Sequence, residues 1–180
     1  MNQLVSAVEV AKLLLSYDPE REYFSDNKLI SVEEDEVEPT QGNFRINKML
    51  HICQMLHYAK YREPLFFEDL RAYKRGAIVY PIYKGFFNLY RQMLKPEEIQ
   101  LNPKKKSFIS KIYHYFKNYQ NEQLEIFSHD DISWKQTWQR ENDDDRMIIN
   151  EENKKFYRDL LSHIVREVEF YQDAPIMNIN

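Results

Sequence analysis

The stretch from Asn43 to Phe87 restricts the fold most, because an apolar helix, a proline break, an extended segment and a second aromatic helix follow one another there with almost no spacer. Phe44, Ile46, Met49, Leu50, Cys53, Leu56 and His57 recur largely at intervals of three and four residues, which sets them on one face of an α-helix. Asn43 is the expected N-cap. The helix should end near Arg62, since Pro64 lacks a backbone N–H and pushes Glu63 towards extended geometry. Leu65 to Tyr73 reads as two short extended pieces. Gly76 supplies a turn at positive φ, and Pro81 suits the first turn of a helix, where its missing N–H costs nothing. Ile82, Tyr83, Phe86, Phe87, Tyr90 and Leu94 form the expected buried stripe of that second helix.

Four pieces of this stretch have a recognisable order: Lys48-Met49-Leu50 with Gln54, Pro64-Leu65-Phe66-Phe67-Glu68, Ala72-Tyr73, and Gly76-Ala77-Ile78-Val79-Tyr80-Pro81-Ile82-Tyr83. That order resembles the SocA-like antitoxin family, or Panacea domain, often labelled phage-associated. Ala77 stands where the family usually has proline, and Ile82 where it usually has valine. A later segment, Leu124, Ser128, His129 and Trp134 followed by Ile149, is similar to the family's second motif. The resemblance implies a domain over residues 1–172, with an acidic loop inserted around 17–42 and a tail over 173–180. It marks Lys48, Leu50, Gln54, Pro64, Ala72, Gly76, Pro81, Tyr83, His129 and Trp134 as motif positions, expected to serve the scaffold, and leaves the partner-binding residues unassigned. It further implies a non-catalytic protein that neutralises a toxin encoded nearby, either by covering it or by handing it to a protease.

At 180 residues the chain is long enough for one domain with a real core. Its 43% hydrophobic and 30% charged residues are those of a globular rather than a disordered protein. Aromatics reach 14%, an excess compatible with a contact surface for another protein. The net charge of −4 provides no global field to draw the chain to a phosphate backbone, so nucleic acid is a disfavoured partner. The one cysteine, Cys53, lies on the apolar helix face, which rules out an internal disulfide and fits a reducing cytoplasm. No apolar run approaches the roughly 20 residues that span a bilayer, and no secretory signal pattern opens the chain.

Before the central stretch, Val5, Val8, Ala11, Leu14 and Leu15 predict a first amphipathic helix ending before Pro19. The acidic run Glu33-Glu34-Asp35-Glu36 then reads as a solvated loop, with contact to a basic partner as its alternative. After it, Lys104-Lys105-Lys106 reads as a solvated turn. Ser107 is the expected cap of a helix carrying Phe108, Ile109, Ile112, Phe116 and Tyr119, and a short helix covers Gln123 to Phe127. Trp134 and Trp138, four apart, are expected in the core. Asn150 should cap a last helix lined by Phe156, Leu160, Leu161, Ile164, Val165 and Val168.

Only Gly42, Gly76 and Gly85 occur, so neither a phosphate-cradling loop nor a dinucleotide fingerprint can be assembled. His51, His57, His114, His129 and His163 show no H-E-x-x-H spacing. Ser128 beside His129 is not in itself a triad. The sharpest enzymatic alternative is a metal-dependent hydrolase of nucleotides or nucleic acid, with His129, Asp130 and Asp131 meeting Asp143 to Asp145. A third reading is a nucleic-acid-binding regulator using Arg71, Lys74, Arg75 and the lysine run. The favoured expectation is a mainly α-helical domain with a small β-hairpin between two core helices. It has no catalytic residue, metal or cofactor, and takes a protein partner in preference to a membrane, a nucleic acid or a small molecule.

Overall fold

The computed structural model describes residues 4–26, 40–140, 146–147 and 149–171; the acidic run, Asp143 to Asp145 and the tail lie outside the described residues. Helix α1 covers Ala7–Ser16, with Val5 ahead of it in a parallel bridge to Phe66. Its first turn is held from a distance: Glu68 accepts from the Ala7 N–H and the Ser6 hydroxyl, each at 2.7 Å. A carboxylate there meets the positive end of the helix dipole.

Helix α2, Gln41–Tyr61, is the centre of the molecule. Its cap is Thr40 rather than Asn43, with Thr40 Oγ1 accepting the Asn43 N–H at 3.2 Å. Asn43 sits inside the first turn, where its side chain donates to the Tyr83 carbonyl at 2.9 Å and accepts from Asn47 at 3.0 Å. Arg62 ends the helix in the left-handed region at φ 64. Burial runs right round α2, and Asn47, Lys48, His51, Gln54 and His57 are taken inside with the apolar residues. A helix buried on every side has neighbours on every side. Helix α7 (Glu151–Phe170) makes the most extensive contact, and β2 (Gly76–Val79), α5 (Asn121–His129), α1, α3 (Tyr80–Tyr90) and α4 (Pro103–Phe116) complete the enclosure.

Gln54 explains how the proline segment after α2 is docked. Its side-chain oxygen accepts the Leu65 N–H at 2.7 Å and its amide donates to the Phe66 carbonyl at 3.2 Å, satisfying backbone groups that no sheet pairs. Strands β1 (Leu70–Tyr73) and β2 (Gly76–Val79) then form an antiparallel hairpin, with Leu70 opposite Val79 and Tyr73 opposite Gly76. Gly76 has φ +104, as the turn expectation required.

Helix α3, Tyr80–Tyr90, carries Pro81 in its first turn. Its buried residues are Ile82, Phe86 and Leu89; Phe87 is 48% exposed, and Leu94 lies beyond the helix end. The correction is geometric, since Phe87 stands about 100° round the helix from Phe86 and both cannot face the same core. A 3-10 turn at Pro96–Glu98 leads to α4, Pro103–Phe116. Asn102, not Ser107, caps α4, because Pro103 already starts it; the three lysines therefore form its first turn, and Lys105 is buried.

Helices α5 (Asn121–His129), α6 (Ile132–Trp138) and α7 (Glu151–Phe170) close the molecule, with Asn150 capping α7 as expected. Leu160 is exposed and the fully buried Tyr157 takes its place on α7. Trp138 is 47% exposed, so only Trp134 of the pair enters the core. The fold is mainly α with a two-stranded hairpin between two core helices. Among the described residues no helix is long and apolar enough to cross a membrane.

Candidate functional site

His51, carried inside by α2, finds its partners on α5 and at the start of α6. His51 Nδ1 meets Ser128 Oγ at 3.0 Å and His51 Nε2 meets Asp131 Oδ2 at 2.6 Å. Asp131 also caps α6, accepting the Ser133 N–H at 2.8 Å, and takes the Tyr157 hydroxyl at 2.7 Å. Ser133 joins Tyr157 at 2.7 Å and accepts from Asn153 at 2.8 Å. Burial first, and then the Asp131 carboxylate, push the Tyr157 phenol well up, keeping it a donor. The residue types are those of a serine-hydrolase triad, but Ser128 is fully buried and Gly76 abuts its Oγ. A substrate carbonyl would have to displace the hairpin to reach it. The arrangement satisfies buried polar groups and ties four helices together.

The hairpin turn is fixed by side chains from three helices. Lys48 of α2 donates to the Arg75 carbonyl, and Trp134 of α6 donates its indole N–H to the Tyr73 carbonyl at 3.0 Å. His129 of α5 stacks on Trp134 at 4.1 Å with the rings 9° from parallel, and is also hydrogen-bonded to the Lys74 backbone. Burial, and after it the Lys48 charge, hold the His129 imidazole below the usual histidine range. Lys48, Gly76, His129 and Trp134, far apart in the chain, thus converge on one four-residue turn.

That turn is one wall of a cleft of about 620 Å³, a volume typical of ligand or peptide sites. The other walls are the start of α2 (Thr40, Asn43, Phe44, Asn47) and the start of α3 (Tyr80, Tyr83, Phe87). Lys74, Arg75 and Lys84 bring positive charge to the lining beside the buried Lys48, and Asp26 is its one carboxylate among the described residues. Glu125 behind the cleft pairs with Arg75 at 2.8 Å. The Lys48 ammonium and the Arg75 guanidinium both lie over the Phe44 ring, at 4.9 and 5.1 Å.

Lys48 is 2% exposed, and burial lowers its pKa from 10.5 to about 7, partly offset by Glu125. Below about pH 7 the amine is protonated in folded and unfolded chains alike, and the burial penalty is fully present. Between about 7 and 10.5 only the unfolded chain binds the proton, so stability should rise with pH, approaching about tenfold in the folding equilibrium per unit. Urea midpoints of the wild type relative to Lys48→Met, followed from pH 7 to 9, are expected to show that rise. A flat difference would mean that the amine is not desolvated.

Leu50 and Ala72 are buried packing residues, Pro64 and Pro81 punctuate the backbone, and Tyr83 lines the cleft. His129 and Asp131, paired in the metal-hydrolase alternative, turn instead to Trp134 and to His51. Among the described residues no group of three or more His, Cys, Asp or Glu side chains could hold a metal ion. Cys53 is fully buried, and burial alone drives its thiol far up. Arg71, Lys74 and Arg75 gather at the hairpin, whereas the lysine run opens α4, which packs on α1, α7 and α2. His51 and Tyr157 carry no expected role, and Asp131 is expected only as a metal ligand. Their one signal was the polar row Asn47, Lys48, His51 and Gln54 on a helix with no solvent-facing side, since buried polar groups require partners.

Residues 46–135, half of the 180-residue chain, match the family model described as antitoxin SocA-like, Panacea domain. The match runs from the start of α2 through Trp134, and so includes the hairpin with every side chain that pins its turn. No curated protein and no solved structure matches the chain.

Proposed function

The chain belongs to the SocA-like antitoxin family, the Panacea domain, and from that premise we propose that it binds and neutralises a toxin protein encoded nearby, without covalent chemistry of its own. The observation that supports this reading best is the use made of Lys48, Gly76, His129 and Trp134. They hold a rigid hairpin wall beside an open aromatic and cationic cleft, and aromatic and arginine side chains in a preformed concavity are what protein contacts favour. Residues 1–172 act as one binding domain, a reading supported by the packing of α1 and α7 on α2 outside the matched region. The buried Cys53 thiol suits work in the cytoplasm.

Co-expression with each neighbouring reading frame tests the proposal. One neighbour should arrest growth alone and be rescued by this chain. Rescue with the toxin still present at full level marks direct occlusion, and rescue with the toxin lost marks delivery to a protease. If no neighbour is both toxic alone and rescued, the antitoxin reading fails.

A further inference from the structure

The outer face of α3 carries a pattern that its core-facing side does not explain. Tyr80, Lys84, Phe87 and Arg91 follow one another at intervals of four, three and four residues, which sets them in one row along the helix. Tyr80 is 37% and Phe87 48% exposed, and each ring is covered by a cation rather than by the core. The Arg91 guanidinium lies 3.8 Å from the Phe87 ring centre, Arg71 lies 5.0 Å from that of Tyr80, and Lys84 5.7 Å from the same ring. A guanidinium stacked on a ring keeps its N–H edges free of the ring and in the plane where carboxylates bind. The row starts at the cleft, since Tyr80, Lys84 and Phe87 line it, and Arg91 continues it beyond.

We infer that the cleft and the α3 row together receive an extended acidic segment of the partner protein, its carboxylates on the cations and its apolar side chains among the rings. This rests on the antitoxin-like reading above and gives it a partner chemistry. Charge supports it: the whole chain is at −4, yet among the described residues Lys74, Arg75 and Lys84 line this cleft against one carboxylate, with Glu125 opposing Arg75 from outside the lining. An acidic protein with a local cationic cleft steers an acidic segment to that place and to few others. Extent supports it too. A mononucleotide could use the rings and charges inside the cleft, but would leave Arg91, outside the lining, unused, and no glycine-rich loop is present to cradle its phosphates.

The test uses the full chain and a fluorescein-labelled decapeptide of alternating glutamate and leucine, with glutamine and lysine counterparts, followed by anisotropy. The glutamate peptide is expected to bind about tenfold or more tighter than the glutamine one, to weaken as salt is raised, and to lose about tenfold in the doubly substituted Lys84→Glu, Arg91→Glu chain. Both substituted residues are exposed, and circular dichroism verifies that the variant is folded. Equal binding of the glutamate and glutamine peptides overturns the inference. So does displacement of the bound peptide by ATP at lower concentration than by unlabelled peptide, which would make the cleft a nucleotide site. Binding that emerges only after Glu33, Glu34, Asp35 and Glu36 are changed to glutamine would make the chain's own acidic run the occupant, and also overturns it. If the double variant loses the peptide yet still rescues growth, this inference fails and the antitoxin reading stands. If the peptide binds as described but no neighbour is rescued, the reverse holds.

Discussion

Asp131→Ala is expected to destabilise the folded chain by about 2–4 kcal/mol, from a buried imidazole left without its acceptor and a lost helix cap. The carboxylate is 2% exposed and serves three elements at once: His51 of α2, the Ser133 N–H that opens α6, and the Tyr157 hydroxyl of α7. Alanine leaves the His51 imidazole without its acceptor and the Tyr157 phenol with Ser133 alone, and removes the α6 cap as well. Asp131→Asn keeps one carbonyl acceptor, so its loss should be intermediate. Urea unfolding monitored by tryptophan fluorescence measures both, and a loss below about 1 kcal/mol for the alanine variant would show that the network does not hold the helices together. Since a domain of ordinary size has only about 5–15 kcal/mol in hand, accumulation of Asp131→Ala as soluble protein should fall as well.

The second large effect is expected at Gly76. Its φ of +104 is a conformation that L side chains rarely adopt, and a Cβ there would collide with Lys48 Nζ and Ser128 Oγ. Backbone strain of about 1–3 kcal/mol and overpacking of similar size act together in Gly76→Val, so about 3 kcal/mol or more is expected. The damage is directed, because the side chains displaced are the one that holds the Arg75 carbonyl and the one that joins His51. Neutralisation of the partner toxin should therefore be lost even where the variant stays folded. Gly85→Ala is the control: a Cβ at that helical position meets nothing within 4 Å, and alanine there should gain about 0.5–1 kcal/mol. Equal urea midpoints for Gly76→Val and the wild type would overturn this account of the turn.

Local chemistry was legible wherever neighbouring residues decide the outcome. Pro64 and Arg62 mark the end of α2, Gly76 the turn, Pro81 the start of α3 and Asn150 the cap of α7. Two caps were misplaced for a shared reason. Thr40 and Asn102 lie ahead of the first apolar residues of their helices, while Asn43 and Ser107 lie beside them, so periodicity alone favoured the wrong pair. Phe87, Trp138 and Leu160 are apolar by type but exposed in place, because residue type does not say which side of a helix has a neighbour.

The order of residues is enough to show a mainly helical chain built on one apolar helix with a turn glycine after it, and the family to which it belongs. Those properties are set by periodicity, backbone geometry and motif order, all readable within a few turns of chain. Packing in three dimensions is what makes His51, Ser128 and Asp131 meet across 77 and 80 residues, sets Lys48, His129 and Trp134 on one turn, and opens a cationic cleft on an acidic protein. Side-chain polarity announces that a buried group needs a partner. Which partner it finds depends on how the helices pack, and that is a property of the whole chain.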